Sequence, residues 1–461
     1  MVLGSIPLNN LKKIMIINKV FDKLNKIGFN NLIFMTPHLY SFGDCADQLT
    51  SGLMKARFSN KKIFLLSPYN SKFLFGKKLT NEEMLQLESK YIYKQNLIVC
   101  HVMKLLVTIM LLPSRSLDRV LNMFGKFLDE EKVVPLVGFN GLWCTEHEMK
   151  SGFSWEVVDK YQWHNQIEDD YGLDFSDHKN KIARRLLSEI GIDSSTWYVC
   201  LHVRESGFKN DHGRREYRNS SIHNYIPAIK VITDAGGVVV RIGDPTMTPL
   251  PELPNVIDYP FTSKKSSLLD LYLIKHCRFF LGATSGPDAV AEMFFKDVLI
   301  TNSFQWLLGY PLREKDRSIY KHVYSKAHGR YLTFHEVLND DYKMQPIFGY
   351  IDDNYELTEN TAEDIEMAVS EFLHSHVSND FSLSQNQLDV NMRRVSQARV
   401  IYNKFNLRDD SDKFNLRDDS DKLKEIHTKY RIASRVNINT QGSICDSFLQ
   451  KYLHHPYSVN K

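Results

Sequence analysis

The sequence predicts an α/β protein built on doubly wound parallel sheets in two domains, with helices added at the C-terminus. Three observations predict it. Residues from about Tyr198 to Asn302 alternate buried-type strands with amphipathic helices, the rhythm of βαβ units and a parallel sheet. The stretch "NLIFMTPHLYSFGDCADQLTSGLMKARFSNKKIFLLSP" reads as strand, loop, helix, strand, a second βαβ unit that implies parallel pairing. At 461 residues the chain is too long for one compact core.

In the first half, Leu32–Met35 is a short buried strand. A turn-rich loop with Gly43 and Asp44 leads into a helix to about Phe58, and "KIFLLS" is the next strand. Helices are expected at about Asn81–Gln95, Leu97–Leu112 and Ser116–Leu128, and a strand at Val133–Phe139. The apolar run Leu97–Pro113 is interrupted by His101 and Lys104 and is short for a membrane span, so it reads as a buried helix. From about Asn140 to Lys179 no period is sustained, as in an interdomain connection with short helices.

The second half is clearer. "HKNKIARRLLSEIGI" is an amphipathic helix stopped by Gly191. Strands "WYVCLHV", "VVVRIGD", "NVIDYP", "RFFLGATSG" and "DVLITNS" alternate with helices "SIHNYIPAIKVITDAGG", "SSLLDLYLIKHC" and "PDAVAEMFF". Thr361 and Asp364 have capping-box spacing at the start of a further helix. "KFNLRDDSD" occurs at Lys404 and again at Lys413, a local duplication rather than a solenoid. The boundaries implied are 1–180 for a first domain with its connection, 181–345 for a second, and 346–461 for a helical extension carrying the repeat.

Composition narrows the function. The 58 basic residues against 55 acidic give a net charge of +3, without the excess that nucleic-acid binding demands. Any anion site must therefore be local. The six cysteines, Cys45, Cys100, Cys144, Cys200, Cys277 and Cys445, form no CxxC pair, which argues against a zinc site and fits reduced thiols in a cytoplasmic protein. The N-terminus has no apolar core followed by a small-residue cleavage site, so no signal peptide is expected.

Ligands of open α/β sheets bind at the carboxyl ends of the strands. Four such ends here are polar: Arg204 with the loop carrying Arg214, Arg215 and Arg218; Arg241 and Asp244 in "RIGDP"; Asp258 in "IDYP"; and Thr284, Ser285 and Gly286 in "GATSGPDAV". The last offers hydroxyls and a helix N-terminus to an anion. An arginine at a neighbouring strand end would complete a diphosphate clamp, because guanidinium binds phosphate bidentately. Taken singly, Ser285 reads as a helix N-cap, Arg204 as half of an ion pair with Glu205, and His202 as a structural histidine.

The residues "HVR", "VVVRIGDPTM" and "LLDLYLIKHCRFFLGATSG" resemble the nucleotide-sugar half of the fucosyltransferase-like GT-B glycosyltransferases. These include nodulation, core α1,6- and protein O-fucosyltransferases, and a related bacterial family of glycosyltransferases looks closer still. That family carries H-x-R-R, a strand ending in an acidic residue before Pro, and D-x-x-x-L followed by S/T-S. The resemblance covers about a quarter of the chain. It implies two Rossmann-like domains facing a cleft. It places Arg204 on the donor diphosphate, Asp244 near the nucleoside, and Asp270 and Ser285 along the nucleotide site. The second arginine of the motif is Glu205 here, and Arg214, Arg215 or Arg218 would have to supply that charge.

What the resemblance implies is an inverting, metal-independent hexosyltransferase of bacterial glycan biosynthesis. It would move a fucose-like sugar from a GDP-sugar to a glycan or protein acceptor, with no cofactor. The D-x-D runs Asp410–Asp412 and Asp419–Asp421 lie in the duplication and read as solvated loop. A base for the acceptor hydroxyl would come from the first domain. Asp44 is the first choice and Asp47 the second, although Asp44 equally suits a helix cap. A catalytically silent nucleotide- or glycan-binding module is the alternative, motivated by Glu205. A dinucleotide dehydrogenase is disfavoured because no GxGxxG follows a strand.

Overall fold

The computed structural model describes residues 32–35, 37, 41–67, 69, 79–94, 97–111, 133–135, 143–145, 171–207, 216–309, 311–348, 350–405, 432 and 436–457. The chain divides into two compact units. One is Met1–Ser176 with Asn403–Arg435; the other is Asp177–Tyr402 with Val436–Lys461.

In the first unit, β1 (Leu32–Met35) and β2 (Lys62–Leu65) pair in parallel, Leu32 opposite Lys62 and Met35 opposite Leu65. Helix α1 (Phe42–Ser59) connects them, completing the expected βαβ unit. Close helix–strand approach explains Gly52, where a Cβ would fall 2.6 Å from Met35 Sδ. Asn60 ends α1 in the left-handed region at φ 51°, which asparagine tolerates better than most residues.

Two helical expectations fail here. Within Asn81–Gln95 only Glu83–Gln86 is helical, as a single 3-10 turn. Ile92 instead bridges Ile63 in parallel, with Tyr93 N–H donating to Ile63 O at 2.8 Å. Alternating Tyr91, Ile92 and Tyr93 suit a pleated edge better than a helix. The second failure concerns burial. Helix α2 (Leu97–Leu111) forms as expected, but Leu97 and Ile98 are 74% exposed and Leu105 52%. Its apolar composition has no polar face, so periodicity could not tell a covered side from an open one. Strand β3 (Val133–Pro135), within the expected strand, pairs antiparallel with β4 (Trp143–Thr145), which lies in the stretch read as a connection with short helices. The helix expected at Ser116–Leu128 and the tandem repeat lie outside the described residues.

The second unit is built on a seven-stranded sheet in which every pairing is parallel. Helix α3 (Asp177–Glu189) precedes it. The strands are β5 (Tyr198–His202), β6 (Val238–Arg241), β7 (Val256–Asp258), β8 (Phe280–Ala283), β9 (Val298–Ser303), β10 (Arg317–Tyr320) and a last strand from far downstream, Ser443–Ile444. Their spatial order is β7, β6, β5, β8, β9, β10, then Ser443–Ile444. That is the Rossmann order with one strand added, and the order reverses between β5 and β8.

Helices α4 (Ile226–Asp234), α5 (Ser267–His276) and α6 (Gly286–Met293) connect the strands. A small antiparallel sheet follows: β11 (His322–Ser325) is flanked by β12 (Arg330–Tyr331) and β13 (Tyr355–Thr358). Helices α7 (Phe334–Asn339) and α8 (Gln345–Phe348) lie between β12 and β13. The stretch read as an extension is largely integral to this unit. Helix α9 (Ala362–Ser378) packs on α4 and is capped as expected, Thr361 Oγ1 accepting from Asp364 N–H at 3.1 Å. After α10 (Gln385–Phe405), strand β14 (Ser443–Ile444) closes the β10 edge, and α11 (Asp446–Tyr452) packs on α9. An edge strand cannot be assigned to its sheet from two residues of sequence.

The sheet interior is apolar. All five residues of β5, all four of β8 and all six of β9 are buried. Strands buried on both faces read as continuous apolar runs, which is why these were legible.

Candidate functional site

The strand order reverses between β5 and β8, the position where ligands of open α/β sheets bind, and the candidate site is at their carboxyl ends. His202 ends β5, and its Nδ1 pairs with Ser285 Oγ at 2.8 Å, joining the two strand ends. Burial, then Arg241, Arg204 and Lys265, hold its imidazole down to about 3, so the ring is neutral. The structural reading of His202 thus acquires a partner: it orients the serine that starts α6.

Arg204 follows two residues later and is nearly buried, its guanidinium donating to the Asn219 side chain. Arg218 reaches across to β8, Nη2 donating to Thr284 O at 3.2 Å, and lies over the Phe304 ring. Arg204, Arg218, Thr284, Ser285 and Gly286 are therefore brought together. Arg214 and Arg215 lie outside the described residues.

The start of α6 is less open than its composition suggests. Asp288 accepts from Ser285 N–H at 3.2 Å and from Ala289 N–H at 2.8 Å, and Pro287 has no N–H. Gly286 is left as the backbone donor best placed for a ligand oxygen.

A short segment, Glu216–Asn219, straps the strand ends. Arg218 binds beyond β8; Tyr217 packs edge-on against Phe304 beyond β9; Asn219 accepts from Arg204 beyond β5 and, through its carbonyl, from Lys321 beyond β10. Asn219 also donates to Ser206 Oγ at 2.5 Å, tying the strap to the loop after β5.

The other predicted residues divide into separate groups. Arg241 is fully buried. It donates to Asp258 Oδ1 at 3.2 Å, to Glu205 Oε1 at 3.2 Å and to Thr248 O at 2.6 Å. Glu205 also accepts from both the N–H and the hydroxyl of Thr248 at 2.9 Å. Arg241 and Asp258, expected on the donor, are thus committed to an internal ion-pair network, and Glu205 is its third member. A fully buried guanidinium needs such partners, because an unpaired charge in the interior is costly. Asp244 accepts from Thr246 N–H at 2.9 Å, shaping the loop after β6. Gly207 fits beside that loop, where a Cβ would lie 2.9 Å from Thr246 Cβ.

Asp270, in the first turn of α5, pairs with Lys265 at 2.9 Å. Burial lifts its carboxyl above the usual range, against the pull of Lys265. Asp44 lies not in a loop but in the first turn of α1, three residues after the N-cap Ser41, and it belongs to the first unit. Asp47 is one turn further along α1. The residues missed by sequence reasoning are Asn219, Lys265 and Lys321; only Lys265, five residues before Asp270, left a local signal.

No protein-family profile matches the chain, and no curated protein does. Among solved structures it is similar to the dodecameric iron-containing heptosyltransferase TibC, in complex with ADP-D-β-D-heptose. Identity there is 15%, over 41% of this chain and 47% of that one, with a TM-score of 0.25. The chain spans about half the length of that heptosyltransferase. It is also similar to NodZ α-1,6-fucosyltransferase soaked with GDP-fucose, at 11% identity over 57% and 92% of the two chains, TM-score 0.26. A third is the UDP-GlcNAc 2-epimerase of Methanocaldococcus jannaschii, at 9% identity over 80% and 84%, TM-score 0.24. At such values the likeness adds nothing to what the strand order and the strand ends show.

Among the described residues no helix is long and apolar enough to cross a membrane.

Proposed function

We propose that the second unit binds a nucleotide-diphosphate sugar and that the chain is a glycosyltransferase of GT-B type. The observation that carries this is that Arg204 follows β5 and the Ser285–Gly286 start of α6 follows β8, adjacent strand ends joined by the His202–Ser285 hydrogen bond at the point where the strand order reverses. A guanidinium and a helix N-terminus at adjacent strand ends suit a leaving diphosphate, whose charge they neutralise as it develops.

On this reading Arg204 holds the diphosphate and Arg218 the side facing β8. Arg214 and Arg215 are further donor-binding residues on this reading. Asp244 and Asp270 border the nucleoside, while Arg241, Asp258 and Glu205 hold the floor of the site rather than the ligand. The transfer is inverting and metal-independent. The donor is a GDP-sugar, fucose-like, the acceptor a glycan or protein, and the setting the cytoplasm of a bacterium.

Isothermal calorimetry with GDP, UDP and CMP tests the reading. One diphosphate should bind, and Arg204→Ala should abolish it; unchanged affinity in that variant would remove Arg204 from the site. One observation favours a silent binding module instead: Glu205 is spent on Arg241 and Thr248. Donor hydrolysis separates the two readings, since a silent module binds donor and releases no sugar.

A further inference from the structure

We propose that Lys321 is a ligand for the donor diphosphate, the cation that stands in for the arginine absent at position 205. The inference rests on the donor-site reading above and extends it to a residue that no motif marks.

Lys321 follows β10 directly and is 3% exposed. Its ammonium carries three protons, and Nζ donates to one acceptor, Asn219 O, at 2.6 Å. No carboxylate forms an ion pair with it among the described residues. Buried ammonium groups are normally paired or lose their proton, because an isolated charge is poorly solvated in the interior. This one is held incomplete, facing the strap.

What lies beside it is more positive charge. Asn219 accepts Arg204 on its side chain and Lys321 on its carbonyl, so both cations meet at one residue. Arg218 is the preceding residue and is fixed on Thr284 O. The ends of β5 and β10 are three strand spacings apart, about 14 Å at about 4.8 Å per strand. Arg204 and Lys321 both reach Asn219 from the two sides of that span.

The groups acting on Lys321 are Glu359, which favours its charge, and Arg204, which opposes it. Glu359 is already engaged by Ser221 N–H at 2.8 Å and by Asn224 at 3.4 Å. Burial is the largest influence and brings the ammonium down to about 8. A diphosphate seated between Arg204 and Lys321 supplies the missing acceptors and restores the full charge.

Calorimetry with GDP, UDP and the matching monophosphates tests this. Lys321→Met should weaken diphosphate binding at least tenfold and monophosphate binding less than twofold. Lys321→Arg should recover most of the diphosphate affinity. At pH 8 the wild type should take up part of a proton on binding, read from the heat in buffers of different ionisation enthalpy. The ligand phosphate is already ionised above about pH 6 and contributes none. Lys321→Arg should take up none.

Wild-type diphosphate affinity in Lys321→Met would overturn the proposal, as would binding without proton uptake by the wild type. The second result needs no variant, so a Lys321→Met protein that fails to fold leaves the test intact. A wild type that binds neither GDP nor UDP would overturn the donor-site reading itself, and this inference with it.

Discussion

Glu205→Ala is the most informative single substitution, because it asks what took the place of the motif's second arginine. Glu205 Oε1 accepts from Arg241 Nη2 at 3.2 Å, and Oε2 accepts from the Thr248 N–H and hydroxyl. Removing it leaves a fully buried guanidinium with one carboxylate, Asp258, and the Thr248 carbonyl. Breaking a buried pair typically costs about 3–5 kcal/mol, and the surviving Asp258 places this case near the lower end, about 3 kcal/mol. For a unit of roughly 250 residues each kcal/mol moves Tm by about 2–4 °C, so a fall of about 6–12 °C is expected. Urea and thermal denaturation of the wild type, Glu205→Ala, Arg241→Met and the double variant complete a cycle. The double variant should be more stable than Glu205→Ala alone, because it removes the stranded charge. A loss below about 0.5 kcal/mol, the level of an ordinary surface change, would refute the claim that Glu205 holds Arg241.

Two further outcomes follow. His202 titrates at about 6.5 when unfolded and is held to about 3 when folded, so protons favour the unfolded chain. Its stabilisation is complete above about pH 6.5 and drains away towards pH 3, by at most about 1.4 kcal/mol per pH unit. Denaturation of His202→Gln should show a flatter pH dependence below 6.5, and an identical profile would contradict the assignment. Gly207→Ala forces a methyl against Thr246 and should cost about 1–3 kcal/mol while weakening diphosphate binding, since Arg204 and Glu205 lie just upstream. Unchanged Tm and affinity in that variant would show that the two loops are not packed as described.

The sheet was legible because its strands are apolar on both faces, from "WYVCLHV" to "DVLITNS", and their alternation with helices dictates parallel pairing. Arg204 and Ser285 were legible for the same reason: they follow strands, and ligands gather at strand ends. Arg241 and Asp258 are also at strand ends, yet they face each other. Sequence gives the position of a charge along a strand and not its partner across the sheet. Lys321 was hidden because its significance depends on β10 lying within reach of Asn219, 102 residues earlier. The exposure of α2 was hidden because an apolar helix looks the same whether or not something covers it.

The path of the chain has a consequence for how the second unit is made. The chain leaves that unit after Tyr402 and returns only at Val436. During synthesis β10 therefore stands with an open edge while more than a hundred residues are added, until Ser443 and Ile444 dock against Arg317 and Ser318. An open parallel edge is a template for other chains. Expression of Asp177–Tyr402 alone would preserve Arg204, the strap and Lys321, yet free that edge permanently. A workable excised unit has to splice Val436 onward back to Tyr402.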